Sequence, residues 1–368
     1  MEPRSLRLAS LEVHGLRNLV PAQIRLGPRF NVFAGNNAQG KTNLLEAVYL
    51  ACTSKSFRVP SLDEVVRHGE STARVTATFD VEDEPKRVQV LSFGEGGRTT
   101  MVDGKRVRSL SAYAALSPVV VFEPRSLALT QGPSGERRRL LDRVGFHLAV
   151  VEGGAATAVE DLTRYRQALA RRRRALVRGD DVRVLGALEE ILSVHGAAIA
   201  ARRARTLEAL RGPVIDAFAR ISRGSASLEI ALASRGPRDR EGLVEALRAR
   251  RGDDARRGTT TVGPHLDDLE LVLSGHAVRH SASQGQHRML VLSLVSAELQ
   301  GIAAAREVAP ILLLDDVSSE LDPTRNAALF DFLDGTKGQV LVTTTRPEAL
   351  SIRTERLDFR VEQGKVEP

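Results

Sequence analysis

The sequence predicts an α/β nucleotide-binding domain with mixed sheets, interrupted by a helical insertion domain. Three observations predict it. A short apolar run, Phe30–Ala34, opens directly into a glycine-rich loop. A second, Ile311–Leu314, ends in two aspartates. Between them, from about residue 125 to 258, β-branched runs give way to Ala, Leu and Arg at helical spacing. The split domain is therefore expected at 1–124 and 259–368, with the insertion at 125–258. At 368 residues the chain is too long for one ordinary core, which fits such a division.

The elements follow in chain order. Leu11–Val13 and Ile24–Leu26 read as short strands, and Phe30–Ala34 as a buried one. From Lys41 the pattern KTNLLEAVYLAC sets Leu44, Leu45, Val48 and Leu50 near one helical face. Residues 72–107 read as antiparallel: Val75, Ala77 and Phe79 alternate with polar residues, and Asp103-Gly104 is a hairpin signal. Val119–Phe122 is another buried strand. Helices are expected at Glu136–Phe146, Ala155–Val177, Val182–Arg211 and Leu243–Arg250, the third closed by Gly212-Pro213. Strand texture returns with Leu269–Leu273 and Ala277–His280. A helix at Gln286–Ala305, the strand Pro310–Asp315, a helix at Thr324–Leu333, the strand Gln339–Thr344 and a terminal hairpin around Gly364 complete the chain.

Charge is unevenly placed. Residues 134–257 hold 26 Arg and no Lys against 17 acids, a net of +9, while the remainder carries a net of −2. This favours a polyanionic partner, although a helical region laced with i,i+4 ion pairs would read the same way. The lone Cys52 excludes an internal disulfide and a Cys-rich zinc site, and fits a reducing cytoplasm. No apolar run approaches the roughly 18 residues of a membrane span, so no membrane association is expected.

The chemistry lies in four segments. Gly35-Asn36-Asn37-Ala38-Gln39-Gly40-Lys41-Thr42 matches G-x-x-x-x-G-K-[ST], with a strand before it and a helix, opened by Asn43, after it. Such a loop turns backbone N–H groups toward phosphates at a helix N-terminus. Lys41 is expected to reach the β- and γ-phosphates of ATP, and Thr42 Oγ to ligate Mg²⁺. In Ile311–Asp316, Asp315 at the strand end would hold Mg²⁺ through its water shell. Asp316 is placed to orient or deprotonate an attacking water. Ser318-Ser319-Glu320-Leu321-Asp322 has the D-loop pattern of ABC ATPases, which implies a subunit interface beside the nucleotide. Ser281-Ala282-Ser283-Gln284-Gly285-Gln286 resembles the ABC signature, with Gln284 in place of one Gly. Ser283, the Gly285 N–H and the helix dipole would meet a γ-phosphate held by an opposite subunit. An ordinary capped helix start has the same appearance. Where ABC proteins place a switch His, Thr343-Thr344-Thr345 stands, and Asp316 is one methylene shorter than the usual Glu. Both features imply slow hydrolysis, and whether Thr345 replaces the His is open.

From Gly35 to Ser283 is 248 residues, longer than in transporter ATPases and far shorter than in SMC proteins with their coiled coils. In order, Gly15-Leu16-Arg17-Asn18-Leu19, the loop with Asn43–Ala47, Gly132-Pro133 with Arg138–Asp142, Val262–His265 with Asp267-Asp268, and Ser283–Gln286 resemble the RecF family of bacterial recombination mediators. Leu266 stands where that family has Arg. The resemblance implies an ABC/SMC-head-like P-loop ATPase that dimerises on ATP. It also implies a clamp on double-stranded and gapped DNA that promotes RecA loading with RecO and RecR. By analogy with SMC heads, Arg17 is a nucleotide contact. His265 and Asp267 read equally as structural hydrogen-bonding groups. A transporter- or antitoxin-type ATPase and a scaffold that binds ATP without hydrolysing it are the competing readings; the spacing and the basic insertion count against the transporter.

Overall fold

The computed structural model describes residues 2–224, 226–316 and 323–368, and of Pro323, Thr324, Arg325 and Ala328 the backbone alone. The chain forms two compact units, Met1–Ser126 with Val291–Pro368, and Leu127–Leu290. The first junction lies beside the one expected at 124/125. The return falls at 290/291 rather than 258/259, because the strand Asp268–Leu273 pairs within the insertion unit.

The first unit holds two sheets. Strands β1 (Leu6–His14), β2 (Ala22–Arg25), β4 (Thr72–Val81), β5 (Arg87–Gly94), β6 (Thr99–Val102) and β7 (Lys105–Arg106) form one in the order β2-β1-β4-β5-β6-β7, all pairs antiparallel. Strands β3 (Phe30–Ala34), β8 (Val119–Phe122), β12 (Ile311–Leu314), β13 (Val340–Thr344), β14 (Arg356–Glu362) and β15 (Lys365–Glu367) form the other, in the order β15-β14-β3-β13-β12-β8. Only β15 runs antiparallel to its neighbour. The near-continuous apolar runs of β3, β12 and β13 follow from their central, doubly covered places.

The helix Lys41–Thr53 is buried on more than the single face expected: Leu44, Leu45, Ala47, Val48, Leu50, Ala51 and Cys52 are all enclosed. They share one apolar cluster with Leu8, Leu11, Val75 and Phe79 of the antiparallel sheet and Phe33, Leu313 and Leu341 of the parallel one. The helix that begins at the phosphate loop is thus held between two sheets.

The insertion unit is built on the helices Ser134–Val151, Ala155–Arg178, Val182–Ser222 and Arg240–Ala249. The helix beginning at Val182 does not stop at Gly212-Pro213 but runs 41 residues to Ser222. Leu207, Leu210, Val214, Ala217 and Phe218 continue one buried stripe across the proline. The ring removes the donor that Ala209 O would have used, and Ala209 is exposed. Packing outweighs the local stop signal. The unit is not purely helical either: β9 (Leu228–Ala233) pairs with β10 (Asp268–Leu273), which pairs with β11 (His276–Ala277). Of the strand expected at Ala277–His280 only Ala277 is extended, paired together with His276, and Val278–Ser281 coils into a helical turn. Val182–Ser222 and Gln284–Arg306 are long and apolar enough to cross a membrane by length and composition, yet 44% and 61% of their most apolar windows are buried in the protein.

Candidate active site

The loop Gly35–Thr42 leaves the end of β3 and is held from outside by both ends of the chain. Its first glycine is obligatory: a Cβ on Gly35 would lie 2.2 Å from the Val361 carbonyl of β14. Gly40 sits at φ 110°, and its Cβ position is 3.0 Å from Asn18 Oδ1. The Gly364 N–H donates to the Gln39 carbonyl (2.9 Å), and the Gln363 N–H to Gln39 Oε1 (2.6 Å). Val20 N–H in turn donates to Gly364 O (2.9 Å). The loop is therefore preset by backbone contacts before any phosphate arrives.

Lys41 Nζ donates to the carbonyls of Gly35 (2.6 Å) and Asn36 (2.8 Å), so the ammonium lies across its own loop. Burial lowers its pKa, opposed by the charges of Asp316 and Asp315. Thr42 Oγ1 lies 2.9 and 3.0 Å from the two oxygens of Asp315. Asp315, at the end of β12, is buried, and its pKa is raised: desolvation dominates, the Thr343 and Thr42 bonds oppose it, and Asp316 adds to it. Asp316 adopts φ 50°, a left-handed conformation uncommon for a non-glycine residue.

Thr343 links the two aspartates. Its buried Oγ1 donates to Asp315 Oδ1 (2.7 Å) and accepts from the Asp316 N–H (2.9 Å). The sequence offered it only as part of a stretch lacking a switch His. The available signal was its place at the end of a strand whose neighbours carry the loop and the aspartates. Thr345 is exposed.

Arg17, expected at the nucleotide, makes a bidentate pair with Glu46 of the loop helix, at 2.5 and 3.0 Å. Glu46 is fully buried and also accepts from Ser56 Oγ (2.5 Å) and Arg58 Nη1 (3.4 Å). Two of the five guanidinium N–H groups are thereby committed. Asn43 Nδ2 donates to Asn18 Oδ1 (2.7 Å), and Asn43 Oδ1 accepts from Arg58 Nη1 (2.7 Å), which fixes the side chain beside the loop.

The signature segment belongs to the insertion unit. Ser283 Oγ accepts from the Gln286 N–H (3.3 Å) and Gln286 Oε1 from the Ser283 N–H (2.8 Å), the reciprocal pattern of a capping box. Capping uses the acceptor side of the hydroxyl and leaves its proton for a ligand. Ser283 and Gln284 are exposed, Gly285 and Gln286 half-buried. Gln284, the residue in place of glycine, accepts from Gln131 Nε2 (3.2 Å). The D-loop segment Ser318–Asp322 lies outside the described residues.

His265 and Asp267 are engaged within the insertion unit. His265 Nδ1 pairs with the Tyr165 hydroxyl (2.7 Å) and Nε2 with the Thr260 carbonyl (3.0 Å), and burial lowers its pKa. Asp267 accepts from Arg235 N (3.2 Å) and Arg203 Nη1 (3.3 Å). Among the described residues no group of three His, Cys, Asp or Glu gathers as a metal cage. The hard oxygens of Thr42 and Asp315 suit Mg²⁺ bound mainly by phosphates and water.

The family model described as RecF/RecN/SMC N terminal domain matches residues 7–367. The chain is 40% identical to the DNA replication and repair protein RecF of Anaeromyxobacter sp. (strain Fw109-5), covering 99% of each. It is 39% identical to that of Myxococcus xanthus, covering 92% of this chain and 91% of the relative. Among solved structures it is similar to the recombination mediator protein RecF-ATP in the RecFOR pathway, with a TM-score of 0.87, 28% identity, and 99% and 98% of the two chains covered. An SMC head bound to the C-winged helix domain of ScpA shares the fold, with a TM-score of 0.59 and 16% identity over 98% and 96% of the chains.

Proposed function

This chain belongs to the RecF family of SMC-like, ABC-type ATPases, and from that premise we propose that it is an ATP-dependent DNA clamp of recombinational repair in the cytoplasm. The observation that carries the proposal is the array Thr42–Asp315–Thr343–Asp316 at the foot of a preset phosphate loop.

The roles follow from the geometry. Backbone N–H groups of Gly35–Thr42 cradle the phosphates of ATP, and Lys41 exchanges its loop carbonyls for β- and γ-phosphate oxygens. Thr42 and Asp315 would hold Mg²⁺, which would supply positive charge against the phosphates. Asp316, fixed by its backbone bond to Thr343, orients the attacking water. Arg17 contacts the nucleotide with the donors left free by Glu46. Ser283 of a second copy, supported by Gln284, Gly285 and Gln286, completes the γ-phosphate shell, so two ATP molecules join two subunits. The short Asp316 carboxylate and the absence of a switch His make hydrolysis slow, as suits a timer. The dimer holds double-stranded or gapped DNA through its phosphates with little sequence specificity, and with RecO and RecR it promotes RecA loading. The family's presence in a RecFOR pathway supports these last roles.

Sedimentation of Asp316→Ala protein with and without ATP tests the mechanism. ATP-dependent dimers that Ser283→Arg abolishes are expected. Persistent monomers with ATP bound, or full ATP-stimulated DNA binding by Lys41→Met, would overturn it.

A further inference from the structure

Beside the phosphate loop, Arg17, Glu46, Arg58, Asn43 and Asn18 close a ring of hydrogen bonds. Arg17 grips Glu46 with a fork, Nε to Oε2 (2.5 Å) and Nη2 to Oε1 (3.0 Å). Arg58 Nη1 reaches the same carboxylate at 3.4 Å and donates to Asn43 Oδ1 at 2.7 Å. Asn43 Nδ2 donates to Asn18 Oδ1 (2.7 Å), and Asn18 is the chain neighbour of Arg17, which completes the ring. The Ser56 hydroxyl adds a further bond to Glu46 Oε1 (2.5 Å).

The ring ties the segment at Arg17-Asn18 to the start of the helix Lys41–Thr53, where Asn43 is the third residue and Glu46 the sixth. Residues spaced in this way share a helix face, and these two lie just behind Lys41 and Thr42. Asn18 also meets the loop, since a Cβ on Gly40 would lie 3.0 Å from its Oδ1. Arg17 itself adopts φ 42°, a left-handed conformation uncommon for a long side chain. Its N–H donates to the Val65 carbonyl (3.0 Å), and its carbonyl accepts from Arg67 Nε (2.9 Å). A backbone of this kind persists where its surroundings over-determine it, and such places cluster at ligand sites.

Glu46 is fully buried, flanked in the helix by the enclosed Leu45 and Ala47. A buried ion pair adds little net stability, and an apolar side chain of similar volume commonly serves as well. What a carboxylate supplies is direction, because a fork of two bonds fixes the plane of the guanidinium. The Arg17 side chain is 20% exposed, and among the described residues its remaining N–H groups have no partner. We infer that Glu46 is a positioning residue of the ATP site: it touches no nucleotide, and through the fork and the ring it sets the plane and reach with which Arg17 meets ATP. The inference rests on the nucleotide contact proposed above for Arg17. Because the fork is closed before ATP arrives, Arg17 loses little side-chain freedom on binding.

The test is a double-mutant cycle in the full-length protein, read by titration with a fluorescent ATP analogue and by steady-state ATP hydrolysis. Arg17→Ala and Glu46→Gln should each raise the Kd for the analogue about tenfold, the loss of one charge-assisted contact. The double variant should bind within about twofold of either single one, because both changes remove the same interaction. KM should rise with Kd while kcat stays within about twofold, as for a contact made alike in the ground and transition states. Arg17→Lys keeps the charge, loses the fork and leaves the buried carboxylate a counter-charge, so it tests the inference even where Glu46→Gln does not fold. It should bind the analogue about as weakly as Arg17→Ala does. Additive losses in the double variant would overturn the inference, as would wild-type affinity in Arg17→Lys. A lowered melting temperature with unchanged Kd in Glu46→Gln would also overturn it and leave Glu46 a strut of the fold. If Arg17→Ala alone binds as wild type does, the proposed nucleotide contact fails and takes this inference with it. If Arg17→Ala weakens binding and Glu46→Gln does not, the contact stands and only the inference falls.

Discussion

Replacing Thr343 by Val isolates the link between the two aspartates. The side chains have nearly the same shape, and the position is fully buried, so the hydroxyl is the main loss. The Asp316 N–H is left without its acceptor, at a cost of about 1–3 kcal/mol, and Asp315 loses a charge-assisted donor worth about 1.5–3 kcal/mol. The added methyl returns about 0.8 kcal/mol. A destabilisation of about 2–5 kcal/mol is therefore expected, concentrated at the end of β12. The consequence for chemistry is more specific. Asp316 holds φ 50°, a conformation that costs a non-glycine residue about 1–2 kcal/mol, and its bond to Thr343 opposes that cost. Without that bond the Asp316 backbone is held less tightly in this conformation, and single-turnover hydrolysis should slow about 10- to 100-fold, or about 1.4–2.7 kcal/mol of barrier. ATP affinity should change less than about threefold, because none of the loop's own bonds passes through the Thr343 side chain. Quench-flow hydrolysis, titration with a fluorescent nucleotide and thermal melts measure the three quantities, and Thr343→Ser should restore all of them. A lowered melting temperature with an unchanged single-turnover rate would refute the reasoning and leave Thr343 a purely structural hydroxyl.

Other expectations follow from single contacts. Gly364→Ala puts a methyl 1.9 Å from the Asn18 carbonyl at φ 81°, so the turn that braces Gln39 must move; ATP affinity should fall about tenfold (about 1.4 kcal/mol), and an unchanged titration would show that the brace is dispensable. Pro213→Ala restores a donor inside a 41-residue helix and should raise stability by about 1–3 kcal/mol, read as a higher urea midpoint at constant slope. A lower midpoint would mean that the ring itself packs. Asp315 gives a pH dependence: its folded pKa lies above the ordinary 3.8, so the folded protein binds more protons than the unfolded one across that interval. Nucleotide-free stability should fall as pH rises from about 3.8 to the raised value and then level off. Asp315→Asn should remove that slope while weakening Mg²⁺-dependent nucleotide binding; a melting profile identical to wild type would count against the buried carboxylate as its cause.

The parts legible in the sequence were those written in one stretch of chain. The loop and Ile311–Asp316 are contiguous, and their residue types follow from phosphate and metal chemistry, so their strands and turns fall close to where the pattern sets them. The parts that were hidden depend on neighbours distant in sequence. LEIALA of β9 carries helix formers and became a strand through its register against β10. Gly212-Pro213 carries a stop signal that five buried side chains outweigh. The Arg171–Arg174 run gave its charge but not its division, with Arg172 enclosed by carboxylates and Arg173 and Arg174 turned to a cavity. Thr343 became meaningful only when β13 was placed beside β12.

The position of β3 has a consequence for how the chain is made. The strand that carries the phosphate loop lies between β13 and β14, and both are encoded in the last thirty residues or so of the chain. A ribosome thus exposes the loop early and supplies its flanking strands last, so the loop spends most of synthesis without the partners that shape it. Nucleotide affinity in such a molecule reports that β14 and the turn at Gly364 have been made. A product truncated before residue 356 retains the motif but lacks the Val361 and Gly364 contacts that set its geometry.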